Sequence, residues 1–176
     1  MKLAKFGYLL AIVVLLVSGW AVAQQPKDIV ETAAADRSLN TTVSFLRASG
    51  MATILKKDGP YTLFAPTDAA FARLPVDVTK KLHENARLLS MLLNNYIVSG
   101  TVAAESLAQL PRLKTLEGRN LSLRFNAGKL LVNNGKIVKP DIVASNGVIH
   151  EIDEVDTGLI HEFLNTLEKS GHRARK

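Results

Sequence analysis

The stretch Tyr61-Thr62-Leu63-Phe64-Ala65-Pro66-Thr67-Asp68-Ala69-Ala70-Phe71 changes character at its middle. Tyr61 to Ala65 reads as a short strand that stops at Pro66, which has no amide hydrogen to give a ladder. Thr67 then caps a helix, and Asp68 in the first turn suits the positive end of the helix dipole. Phe64 and Phe71 are the large apolar side chains here and are expected in the core. A second stretch, Ser145-Asn146-Gly147-Val148-Ile149-His150-Glu151-Ile152-Asp153, opens on an Asn-Gly turn signal and continues as a strand. Alternation puts Val148, His150 and Ile152 on one face, and Ile149, Glu151 and Asp153 on the other.

Outward from these stretches, the first half is mostly helical. Ile29, Val30, Ala33 and Ala34 form one apolar stripe, and Leu39, Val43 and Leu46 recur at helical spacing. Val78, Leu82, Leu88, Leu89, Leu92 and Leu93 support one or two further helices, Tyr96-Ile97-Val98 is extended, and Ala103 to Leu110 forms a last short helix. After Arg112 the period becomes two: Leu121, Leu123 and Phe125 alternate with Ser122 and Arg124. Turn signals at Asn126-Ala127-Gly128, Asn133-Asn134-Gly135 and Ser145-Asn146-Gly147 divide short strands. Thr157 to Lys169 returns to helix, with Leu159, Ile160, Phe163, Leu164 and Leu167 on one face. Helices early and hairpins late indicate an α+β domain.

The chain has 176 residues, 47% of them hydrophobic, with no cysteine. That composition excludes a disordered or collagen-like chain. The missing cysteines exclude disulfides, thiolate metal sites and thiol nucleophiles. Lys2 and Lys5 precede an uncharged run from Phe6 to Trp20, and Ala21-Val22-Ala23 supplies a small-x-small exit. Residues 1–23 are therefore predicted to be a secretory signal peptide, which takes the single Trp with it. The competing reading is a retained membrane anchor. Residues 24–156 are expected to form the domain, and 157–176 a C-terminal helix with a basic tail. The formal net charge is +6, but Gln24 to His172 carries only about +1, so the excess sits at the two ends. On that count no nucleic-acid partner is expected.

The Tyr61–Phe71 stretch resembles the first conserved box of fasciclin (FAS1) domains, and Ser145–Asp153 resembles the second, some eighty residues later. The resemblance runs from about Lys27 to Val155. It implies a wedge-shaped β-sandwich with helices packed around it, exported to a periplasm, cell surface or extracellular space. Such domains, beta-Ig-H3 proteins among them, serve cell adhesion or extracellular matrix binding and are generally not enzymes. The residues carried over are Thr62, Phe64, Ala65, Pro66, Thr67, Asp68 and Phe71 in the first box. In the second they are Asn146, Gly147, Ile149, His150, Ile152 and Asp153. Between the boxes the family usually has a Tyr-His pair; here Asn95 and Tyr96 hold those positions, and Asp156 replaces a usual apolar residue. In animal members an Asp-Ile pair before the second box is implicated in integrin-dependent attachment, and Asp141-Ile142 occupies that place. The competing reading is that Pro140 ends a strand and Ile142 packs inward.

No arrangement calls for catalysis, a cofactor or a metal. Ser145, His150 and Asp153 have triad residue types, but strand alternation separates His150 from Asp153 and no Gly-x-Ser-x-Gly elbow surrounds Ser145. His150 is instead expected to be a buried, hydrogen-bonded core histidine. His83, His150, His161 and His172 are scattered, and Glu151, Asp153, Glu154 and Asp156 read as a solvated acidic face. The expected function is a non-enzymatic binding module for a surface protein or polysaccharide, monomeric or weakly dimeric and without an anchor after cleavage. The alternative is a periplasmic carrier of a small apolar ligand or lipid, which would need an apolar pocket of a few hundred Å³.

Overall fold

The computed structural model describes residues 26–173 except 58 and 127. The predicted signal peptide and the last basic residues lie outside the described residues. Three helices open the chain: α1 (Ile29–Ala35), α2 (Asn40–Ala48) and α3 (Met51–Lys57). Strand β1 (Tyr61–Pro66) is followed by α4 (Asp68–Phe71), α5 (Val76–Glu84), α6 (Ala86–Asn94), β2 (Ile97–Ser99) and α7 (Ala104–Leu107). The second half is β3 (Arg112–Lys114), β4 (Asn120–Asn126), β5 (Lys129–Val132), β6 (Gly135–Ala144) and β7 (Gly147–Ile152), closed by α8 (Thr157–Arg173). The class is α+β.

The strands form one seven-stranded sheet in the order β2-β1-β7-β6-β5-β4-β3. All pairings are antiparallel except β1 with β7, which run parallel. The three Asn/Gly turn signals fall at the β4–β5, β5–β6 and β6–β7 joins. The ten-residue β6 joins two wings, and its register shifts twice, between Ile137 and Lys139 and between Lys139 and Ile142. Such irregularities bend and twist a strand. The far edges then meet, because the Leu116 amide, in the β3–β4 turn, donates to Ile97 O of β2 at 2.9 Å.

Amphipathic periodicity explains the helical layer. Val43, Phe45 and Leu46 of α2 and Leu88, Leu89, Leu92 and Leu93 of α6 enter one core with Phe64, Phe71, Leu121, Leu123, Ile149 and Ile152. Phe45 and Phe71 meet edge to face at 5.1 Å between centroids, a preferred aromatic geometry. The stripe read on α8 is seated as well: Leu159, Ile160 and Phe163 are buried, with Leu164 and Leu167 half-buried against the core.

β7 departs from simple alternation. All six of its residues are buried, Glu151 included at 4% exposure. A strand paired on both sides and covered on both faces has no solvent side. The expectation of a solvated acidic face therefore fails at Glu151. Pro140 also does not end a strand, since β6 runs through it to Ala144.

Candidate functional site

The two boxes face each other across the parallel β1–β7 ladder, from Tyr61 opposite Gly147 to Pro66 opposite Ile152. A Cβ at position 147 would lie 2.0 Å from the Tyr61 carbonyl oxygen, so only glycine permits this approach. Asn146 anchors the turn: its Oδ1 accepts from the Ile29 amide at 2.8 Å and its Nδ2 donates to Leu55 O at 2.6 Å. Polar members of the first box have similar tasks. Thr62 Oγ1 donates to Gly100 O at 2.7 Å and accepts from the Val102 amide at 2.9 Å. Thr67 caps α4 by accepting from the Ala70 amide at 3.2 Å.

Asp68 reaches back to the start of α2, where its carboxylate accepts from the Thr41 amide at 2.7 Å and from Asn40 Nδ2 at 3.0 Å. Burial alone would raise its pKa, but these donors outweigh it and hold the carboxyl below its ordinary value.

His150 lies opposite Phe64 and stacks on it, with ring centroids 5.4 Å apart. It is fully buried. Its Nε2 donates to Val102 O at 2.8 Å, and its Nδ1 accepts from the Asp141 amide at 3.2 Å. Those partners fix the neutral Nε2–H tautomer. Burial lowers the imidazole pKa below its free value, and the Val102 carbonyl and Asp141 carboxylate only partly oppose it. Both ring nitrogens are thus occupied by backbone groups. Asp153 accepts instead from the Lys136 amide at 2.7 Å, so the triad types do not converge.

Asp141 sits in the left-handed region, at φ 57°, within the irregular part of β6. Its carboxylate accepts from the Ala104 amide at the start of α7 at 2.9 Å. Ile142 is half-buried opposite Ile149 and packs on the core. Residues on either side of the pair are more open: Val138 is 52% and Val143 79% exposed. Sequence reading missed them, although a run of β-branched residues around a proline was its visible sign.

The central pair is structural in position. Asn95 is buried and donates to Met91 O at 2.9 Å. Tyr96 is buried, and its hydroxyl accepts from the Asp156 amide at 2.8 Å. Burial pushes the Tyr96 phenol well above its ordinary value.

Nearby on β7, Glu151 Oε2 accepts from Ser38 Oγ at 2.9 Å, while Lys139 Nζ stands 3.4 Å from Oε1 and also pairs with Asp36. That lysine and the Ser38 backbone amide, which donates to Asp36 Oδ1 at 3.0 Å, hold the Asp36 carboxyl well below the usual carboxylate range. Among the described residues no group of three or more His, Asp or Glu is placed to hold a metal ion, and no helix is long and apolar enough to cross a membrane. A surface hollow of about 250 Å³ lies between α1 and α2, but Asn40, Ser44 and Arg47 line it with Ala34 and Val43. It is not the apolar pocket that a lipid carrier requires.

This parallel pairing of two separated boxes inside a helix-covered sheet defines a class of domain, and comparison with known proteins gives it a name. The fasciclin domain model matches residues 37–155, and the chain belongs to that family. It is 36% identical over 128 residues to "Uncharacterized protein sll1735" of the cyanobacterium Synechocystis, covering 73% of this chain and 96% of that protein. It is 35% identical over 147 residues to transforming growth factor-beta-induced protein ig-h3 of Sus scrofa, covering 83% of this chain but 21% of that protein. Among solved structures it is similar to a FAS1 domain pair from the insect cell adhesion molecule Fasciclin I. There the TM-score is 0.64 at 19% identity, over 74% of this chain and 50% of that one.

Proposed function

We propose that this chain is an exported, non-enzymatic FAS1 module that binds a surface protein or polysaccharide and acts as a monomer or weak homodimer. In this reading residues 1–23 are removed, 24–156 form the binding domain, and 157–176 extend it. One observation carries the reading: the polar residues of the boxes and of Asp141 are engaged by the fold, while β6 offers Val138 and Val143 to solvent beside Asp141-Ile142. Apolar side chains held open along one strand while the polar groups are occupied favour docking over chemistry.

The test compares wild-type protein with the double variant Val138→Asp/Val143→Asp for retention on immobilised cell-envelope material. Loss of retention with unchanged thermal unfolding supports the reading. Undiminished retention overturns it, as does a turnover on esters, peptides or glycans that His150→Ala abolishes.

A further inference from the structure

The near-neutral sum of charge over the folded body conceals a segregation. Residues 110–144 hold seven Lys and Arg against two Asp and Glu, whereas the rest of 24–172 holds ten against fourteen. The register places most of this excess on one surface. Leu113 with Leu121, and Leu123 with Val132, face the core, so the alternate positions of β3, β4, β5 and β6 face solvent. Those positions carry Arg112, Lys114, Arg124, Lys129 and Lys136, all exposed. Arg124, Leu131 and Lys136 stand opposite one another on three adjacent strands, which puts the two cations about 10 Å apart. None of the five forms an ion pair among the described residues. Asp153, beside Lys136, is already bound to that residue's backbone amide.

We propose that this outer face of the β3–β6 wing is a docking surface for an extended acidic polysaccharide, whose carboxylates the five cations match. The proposal rests on the binding-module reading and specifies a partner class for it. Asn120, Ser122 and Asn126 of β4 lie between the cations on the same face and offer hydrogen bonds suited to sugar hydroxyls. Nucleic acid fits less well, because this face has no aromatic ring on which bases stack; Phe125 points to the other side, opposite Leu130. An anionic membrane fits less well too, since half-buried Leu131 and exposed Val138 are the apolar side chains among these cations, too little apolar area to enter a headgroup boundary.

The probe is polygalacturonate, with neutral dextran as control. Retention is expected on the polyuronate and not on dextran, weakening as sodium chloride rises from about 0.05 to about 0.5 M and screening shortens. The variant Arg112→Glu/Lys114→Glu/Arg124→Glu/Lys136→Glu should lose affinity on the order of tenfold or more. Lys57→Glu/Lys80→Glu/Lys81→Glu/Arg87→Glu, which makes the same charge change on the helices, should retain it. A second face variant, Arg124→Gln/Lys136→Gln, keeps the test decisive if the quadruple one misfolds, and should show a smaller loss.

Equal loss in the helical variant, loss on deleting residues 173–176 alone, or no polyuronate binding overturns the proposal. Tighter binding to phosphatidylglycerol vesicles or single-stranded DNA than to polyuronate does so as well. Each such outcome leaves the Val138/Val143 retention assay unchanged, so the two readings fail separately.

Discussion

The Tyr96 hydroxyl accepts the backbone amide of Asp156 at 2.8 Å, tying the entry to β2 to the start of α8. Asp156 also caps α8 by accepting from the Leu159 amide at 3.2 Å and takes a bond from Asn133 Nδ2 at 3.3 Å. The helix begun this way docks on α6 and is held again by Arg119, which makes two 2.8 Å bonds to Glu162 and covers the Phe163 ring.

Tyr96→Phe removes that acceptor inside the protein and should cost about 1–3 kcal/mol, measured by urea unfolding at neutral pH. The raised folded pKa of the phenol adds a pH signature: the unfolded phenol ionises first, so stability should fall as pH rises above about 10. The Tyr96→Phe variant should show a flatter fall. An unchanged slope would show that the phenol is not held neutral by the fold.

Asp156→Ala should cost about 0.5–2 kcal/mol through the lost cap. Hydrogen exchange should localise the effect to the first turns of α8. Protection lost evenly over the whole chain would contradict a local cap.

His150 titrates below its free value, so it contributes stability above about pH 6.5 that is lost as pH falls through the unfolded and then the folded pKa. His150→Ala should cost about 1–3 kcal/mol at pH 7.5 by stranding the Val102 carbonyl and Asp141 amide. The difference from wild type should shrink below about pH 6. A difference that grows on acidification would place a charged imidazole in the core.

Asp36 also loses its contribution on acidification, but there the fold favours the charged form. Its folded pKa is depressed, so its contribution is present above the unfolded value of about 3.9 and is lost as pH falls below it. Lys139→Met should lower the urea midpoint at pH 6 and leave Glu151 without its cation. The gap between variant and wild type should start to narrow below about pH 4 and close only once the pH is well below the usual carboxylate range, where Asp36 itself becomes neutral. A pH-independent gap would assign Lys139 a packing role instead.

Phe64→Ala should cost about 3–5 kcal/mol, since the side chain is fully buried and supports the His150 ring. Near-native stability with lost envelope binding would convert the first box from a fold element into a binding surface.

Local chemistry made much of this legible. The Thr67 cap, the three Asn/Gly turns and the apolar stripe from Leu159 to Leu167 are written in residues a few positions apart. Partners distant in sequence were not. Asp68 is drawn to its own helix by spacing, yet it also caps α2 through Thr41. Glu151 alternates as a surface residue and is buried because β1, β6 and the helices enclose it. Charge was misjudged in the same way, since a sum along the chain cannot show that Arg124 and Lys136 share a face. Val138 and Val143 were overlooked because strand propensity alone does not distinguish an exposed valine from a core one.

The central parallel ladder also governs how the chain finds its fold. Tyr61 and Gly147 are 86 positions apart and must meet before the middle of the sheet exists. Closing so long a loop adds little equilibrium penalty, about 0.6 kcal/mol per doubling of length. It weighs on rate, because distant contacts are found slowly. β7 is the bridge between β1 and the whole hairpin wing, so neither half has a complete sheet without it. The pairing of β7 with β1 is therefore the step expected to set the folding rate, and until it forms the Phe64 strand has β2 alone beside it.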